Sequence, residues 1–227
     1  MARREGPEEV RVGTVKSPAE GRVLLRNVSW ETYDRLMAER EERPVPRFFY
    51  DRGVLEILSP SKRHEEISRV FALLIEELSI EMGIDVLAAG STTFKREDLQ
   101  RGFEPDECFY FGDGAGRVRA MDDVDLDAED PPPDLVVEAD LTSSSLNKLP
   151  IYARLGVAEV WRYAGGRPDI LGLQGEGYER MAQIRFLPPL TSEDLVRFVE
   201  EGLKKERPEW VREVRRWARS RGDGPET

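Results

Sequence analysis

The chain has one cysteine and one histidine in 227 residues, and each scarcity excludes something. A lone Cys108 cannot form an internal disulfide or a cysteine-rich zinc site, which points to a reducing compartment such as the cytoplasm. A lone His64 rules out multi-histidine metal centres. No apolar run approaches the ~20 residues of a membrane span, and the first residues carry no apolar core of a secretion signal. Net positive charge is missing too: 34 Lys and Arg face 45 Asp and Glu, a formal charge of −11. That balance weighs against a general phosphate binder, although global charge governs solubility and steering rather than what one cleft can hold.

What is present suffices for a substantial core. Hydrophobic residues make up 39% of the chain, and a chain of this length buries roughly 70% of its unfolded surface without covalent staples. Residues 1–28 read as a flexible arm, 29–200 as one domain, and 201–227 as a basic helix and tail. Ser29 caps a short helix carrying Trp30, Tyr33, Leu36 and Met37 on one side. Arg47–Asp51 and Val54–Leu58 flank Arg52-Gly53 as a hairpin. Ile67, Val70, Phe71, Leu74, Ile75 and Leu78 recur at helical spacing, with Gly83 as the stop. Short β-rich runs follow at 84–88, 92–95, 106–111 and 135–141. A helix from Lys148 ends at Gly156, and further strands lie at 157–163, 170–173 and 178–181. A helix opens at Ser192, and a basic one follows Pro208. The class is α/β or α+β, built on a mixed sheet flanked by helices.

Two charge blocks stand out. Asp122–Asp130 holds six acids in nine residues but lacks the spacing of a calcium loop, and reads as a solvated loop. Residues 203–221 carry a net +5; Trp210, Val214 and Trp217 along one side favour packing over phosphate tracking.

No phosphate-binding glycine loop joins a strand to a helix, and His64 has no nucleophile elbow to serve. The unusual feature is acid on apolar strands. Glu104-Pro105-Asp106 opens one such strand, and Asp134-Leu135-Val136-Val137-Glu138-Ala139-Asp140 ends another. Alternation puts Glu138 and Asp140 on one face. A buried carboxylate is costly unless it is paired or binds a cation. Two or three converging at strand ends suit Mg²⁺ or Mn²⁺, while each taken singly also fits a turn or cap role.

Gly90-Ser91-Thr92-Thr93-Phe94-Lys95 and Gly102-Phe103-Glu104-Pro105-Asp106-Glu107 form the first part of an ordered set of motifs. Pro132-Pro133-Asp134 through Asp140, Lys148-Leu149-Pro150-Ile151-Tyr152 and Gly156-Val157-Ala158-Glu159-Val160-Trp161 complete it. The set resembles the Uma-type restriction endonucleases, a branch of the PD-(D/E)XK superfamily, over roughly residues 29–200. The resemblance implies a restriction-endonuclease-like core, DNA as substrate and a divalent metal. It assigns Asp106 and Glu138 as metal ligands, with the Ala139 carbonyl as a third. Asp140 occupies the motif's lysine position, so Lys148, eight residues beyond Asp140, is the first substitute and Lys95 the second. His64, just before the long helix, would bind phosphate or meet the carboxylates. The resemblance also raises homodimerisation. A nuclease-like fold that binds nucleic acid or a protein without cutting is the alternative, as is a hydrolase of another phosphoester. The position of Lys148 and Lys95 relative to the carboxylates discriminates between cutting and binding alone.

Overall fold

A computed structural model describes residues 20–40, 45–141 and 146–222. Expectations that fall on residues 1–19, and on the tail from 223, lie outside the described residues.

Eleven strands form two sheets among the described residues. The first comprises β1 (Gly21–Arg26), β2 (Arg47–Asp51), β3 (Val54–Ser59), β5 (Phe94–Arg96) and β6 (Arg101–Phe103), in the order β1-β3-β2-β6-β5. All its pairings are antiparallel. The second comprises β4 (Val86–Ala88), β7 (Glu107–Phe111), β8 (Leu135–Asp140), β9 (Glu159–Ala164), β10 (Arg167–Gln174) and β11 (Gly177–Arg180), in the order β11-β10-β9-β8-β7-β4. It is mixed, because β8 and β9 run parallel while their neighbours are antiparallel. The architecture is therefore α/β, with a second sheet that the sequence pattern did not separate from the first. The reason is β1 and β6, two short strands that frame the β2–β3 hairpin. Gly21–Arg26, expected within the arm, pairs with β3 along its whole length.

Six α-helices flank the sheets among the described residues. In α1 (Trp30–Glu39) the Ser29 hydroxyl accepts from the Thr32 N–H, as its cap position requires. In α2 (Lys62–Met82) Ser61 caps the His64 N–H, and Gly83 closes the helix at φ 67°, a left-handed conformation that glycine adopts without strain. The others are α3 (Asp113–Arg119), α4 (Leu149–Leu155), α5 (Ser192–Gly202) and α6 (Arg207–Gly222). The acidic 122–130 stretch contains only a 3-10 turn at Leu126–Ala128, capped by Asp125.

Alternation along β8 sorts its side chains between two cores. Leu135, Val137 and Ala139 face a cluster with α2, α5 and α6, which includes Phe71, Trp161, Phe198 and Trp210. Val136 faces a second cluster with Cys108, Val160, Ile151 and Tyr152 of α4, and Phe103 of the other sheet. The basic C-terminal helix belongs to the first core. Trp210 is buried and its indole N–H donates to the Phe198 carbonyl at 2.8 Å, while Arg215 and Arg219 reach Glu77 and Glu81 of α2. Its basic face is thus partly spent on α2.

The stretch before Asp106 is clamped. Glu104, fully buried, accepts from the Phe48 N–H (2.8 Å), from Thr93 (2.6 Å) and from both Arg40 amino groups. At Gly102 a Cβ would lie 2.2 Å from the Tyr33 hydroxyl, so only glycine lets α1 pack this close.

Candidate active site

The carboxyl end of β8 meets the entry to β7. Their antiparallel register pairs Glu107 with Val137, and one step further sets Asp106 across from Glu138. Both carboxylates are buried: Asp106 is 3% exposed and Glu138 1%. Burial of this degree demands partners, and four elements supply them.

The α4 helix supplies two. Lys148, at its N-terminal cap, places Nζ 2.5 Å from Glu138 Oε2 and 3.7 Å from Asp140 Oδ1. Tyr152, one turn later, donates its hydroxyl to Glu138 Oε1 at 2.6 Å. Each oxygen of Glu138 therefore has its own donor from one helix face, because residues four apart share that face. The ammonium also lies 3.8 Å over the Phe49 ring. Lys148 is 5% exposed, which excludes a solvated lysine at the helix start.

Asp106 is held from the other side. Its Oδ1 lies 2.7 Å from Arg47 at the start of β2, and its Oδ2 accepts from the Ala139 N–H at 2.7 Å. His64, in the first turn of α2, contacts Oδ2 through Nε2 at 2.7 Å and Glu20 through Nδ1 at 2.9 Å. Carboxylates at both ring nitrogens are satisfied together only by an imidazolium, which donates from each. Glu20 in turn is 2.5 Å from Arg22, which pairs with Glu56 at 2.7 Å and approaches Asp140 at 3.5 Å.

The electrostatics follow from this wiring. Burial works against ionisation of Asp106, but the His64 hydrogen bond and the Arg47 charge outweigh it and hold the carboxyl well below its usual range. Burial raises Glu138 to about 7; Lys148 pulls the other way, while Asp106 and Asp140 add to the rise. Burial opposes the charge on Lys148, yet the surrounding carboxylates keep its pKa raised. His64 is likewise raised against burial, chiefly by Asp106.

Asp106, Glu138, Asp140, Lys148 and His64 thus lie in one cluster. Lys95 does not join them, because at the sheet edge it pairs with Asp34 of α1. Ala139 enters through its N–H. Four participants went unread. Tyr152 was recoverable from its spacing to Lys148, and Arg47 from being a charge beside Phe48 and Phe49 at the start of a strand. Glu20 and Arg22 carried no such signal.

The donor set bears on divalent-metal chemistry. Two buried carboxylates at adjoining strand ends are hard oxygen donors, and Asp106 Oδ1 has no hydrogen bond despite its ion pair. The donor types fit a divalent ion. In the arrangement described, however, Arg47 and Lys148 engage them, and no group of three His, Cys, Asp or Glu side chains among the described residues stands ready to hold a metal.

The mixed sheet and its companion sheet, flanked by helices, are consistent with a restriction-endonuclease-like fold, and the family that the chain matches belongs to the PD-(D/E)XK-like superfamily. Within it, the chain belongs to the Uma2 family, described as "Putative restriction endonuclease", which it matches over residues 30–214. The match runs well into α6, in keeping with the place of that helix in the core. No curated protein matches the chain. The family suggests a nuclease and implies DNA as the substrate. No helix among the described residues is long and apolar enough to cross a membrane.

Proposed function

We propose that the protein is a metal-dependent endonuclease hydrolysing DNA phosphodiester bonds, with Asp106, Glu138 and Lys148 at its centre. The observation that carries this reading is the Lys148 ammonium 2.5 Å from Glu138, beside the carboxylate that faces Asp106. Asp140 displaces the motif lysine in sequence, and α4 returns a lysine to the same strand end in space.

Asp106 and Glu138 would hold Mg²⁺ or Mn²⁺, which when bound polarises the phosphoryl oxygen and lowers the pKa of a water. The protein's own groups account for the rest. His64 and Arg47 keep Asp106 ionised, so it is a ready anionic ligand at neutral pH. Tyr152 fixes the Glu138 carboxylate plane. The Lys148 ammonium orients the attacking water and offsets the negative charge that builds on the phosphoryl oxygens. A single buried Cys108 is consistent with work in the cytoplasm.

The test is plasmid cleavage with Mg²⁺ and with Mn²⁺, comparing the wild type with Asp106→Asn, Glu138→Gln and Lys148→Met. Cutting by the wild type alone is the expected result. An inert wild type, or variants that cut equally well, overturns the reading. The internal pairing of every site carboxylate gives the alternative, binding without cutting, its one support; an inert wild type that still retards DNA would establish it.

A further inference from the structure

One cation beside this site is not absorbed by it. Arg162 lies on β9 in direct register with Glu138 on the parallel strand β8. Register partners on strands about 4.8 Å apart project from the same face, so Arg162 emerges beside Glu138. The face is the one toward α4, since Val136 and Val160, two residues earlier on each strand, pack in the α4 cluster.

Its surroundings differ from those of the other site cations. Arg47 and Lys148 each sit within 2.7 Å of a buried carboxylate and are themselves buried. The Arg162 side chain is 30% exposed, and its ion pair among the described residues is a long one, 3.9 Å to Asp169. Asp169 is shared with Arg180, which lies closer at 3.1 Å. The Arg162 Nε is buried with no hydrogen-bond partner. A guanidinium offers five donors in a planar fork that matches a phosphate, and most of this fork is unspent. In a chain of net charge −11, DNA must be met by local cations.

We propose that Arg162 binds a backbone phosphate of the DNA strand that is cut, beside the scissile bond. The inference rests on the nuclease reading for its substrate class. Arg162 is a substrate-binding residue in it, with no part in the bond-making step.

The experiment measures binding of a short fluorescein-labelled DNA duplex in EDTA over a salt series, then cleavage in Mg²⁺. The chains are the wild type, Arg162→Gln, Arg162→Lys and a control on α5, Arg197→Gln. Arg162→Gln is expected to bind several-fold more weakly, with the slope of log K against log salt smaller by about 0.9, the value of one phosphate contact. Arg162→Lys keeps the charge without the fork, so it should keep the slope and lose part of the affinity. In cleavage the loss appears mainly in KM. A merely structural role would not move the salt slope, and Arg197→Gln should leave it unchanged. Equal affinity and slope in Arg162→Gln overturn the proposal. If circular dichroism shows that variant unfolded, Arg162→Lys decides, and wild-type affinity in it overturns the proposal. A wild type that binds with an Arg162-dependent slope but never cuts keeps this contact and removes the hydrolysis reading. A wild type that binds no DNA removes both.

Discussion

Two glutamates lie on adjoining parallel strands, and both are buried, yet their surroundings differ. Glu159, at the start of β9, is fully buried and accepts from the Trp161 indole at 2.5 Å and from the Arg185 backbone N–H at 3.0 Å. Glu138, near the end of β8, meets the Lys148 ammonium and the Tyr152 hydroxyl. Trp161 belongs to the core around α2, and Tyr152 to the one around α4, so the two carboxylates serve opposite faces of the sheet. Burial raises the pKa of both. Burial and a raised pKa are therefore common to both and do not by themselves mark a carboxylate as a candidate for chemistry. What separates them is convergence: Glu138 has a second acid across from it and a lysine on it, at the carboxyl end of a parallel strand, where open α/β sheets place their ligands. Glu159 has neutral donors that tie β9 to the chain at Arg185.

Activity is the largest effect that can break this comparison. Glu138→Gln or Lys148→Met should reduce DNA cleavage by ~10²–10³ or more, the scale for removing one electrostatic stabiliser of a transition state. Glu159→Gln, folded by circular dichroism, should cut near the wild-type rate in the same plasmid assay. Loss of cutting in the Glu159 variant would erase the distinction.

Stability comes next. Glu138→Ala strands the buried Lys148 charge and should cost about 3–5 kcal/mol in urea unfolding. The double variant Glu138→Gln, Lys148→Met removes both charges and should recover most of that loss. Glu159→Ala leaves one indole and one peptide N–H without an acceptor, at about 1–3 kcal/mol each. A Glu138→Ala variant no less stable than wild type would mean that the ion pair seen here is not formed in solution.

The mixed α/β class with flanking helices was legible in the sequence, and its division into two sheets was not. Asp106 and Glu138 betray themselves as charges in segments whose pattern demands burial; Lys148 was reached only through the family resemblance, and His64, expected just before the long helix, stands in its first turn. Local pattern could not set aside Lys95, the second candidate after Lys148, because a strand lysine carries no mark of which sheet its strand joins; its strand joined the other one. The separation of two sheets was illegible for a related reason. Gly21–Arg26 and Arg101–Phe103 are short and charged, and they become strands only by pairing with the β2–β3 hairpin. Glu20 reaches His64 because β1 is in place, so its role depended on a pairing that local pattern does not encode.

The smallest effect is the dependence of stability on pH, and it sharpens the comparison by sign. Burial holds the Glu159 carboxyl above its ordinary value, so the folded protein keeps a proton that the unfolded chain has already released. Its contribution is fully present below the unfolded carboxylate pKa, about 4.3, and is lost as pH rises from there through the folded value. Asp106 is held low, so its contribution is present above the unfolded value of about 3.9 and is lost as pH falls through the depressed one. In thermal melts, Glu159→Gln should flatten the decline of Tm on the alkaline side of the carboxylate range. Asp106→Asn should flatten the acid limb instead. The same limb flattened by both variants would show that the two carboxyls are perturbed in the same direction, and that the Arg47–His64 cradle does not hold Asp106 ionised.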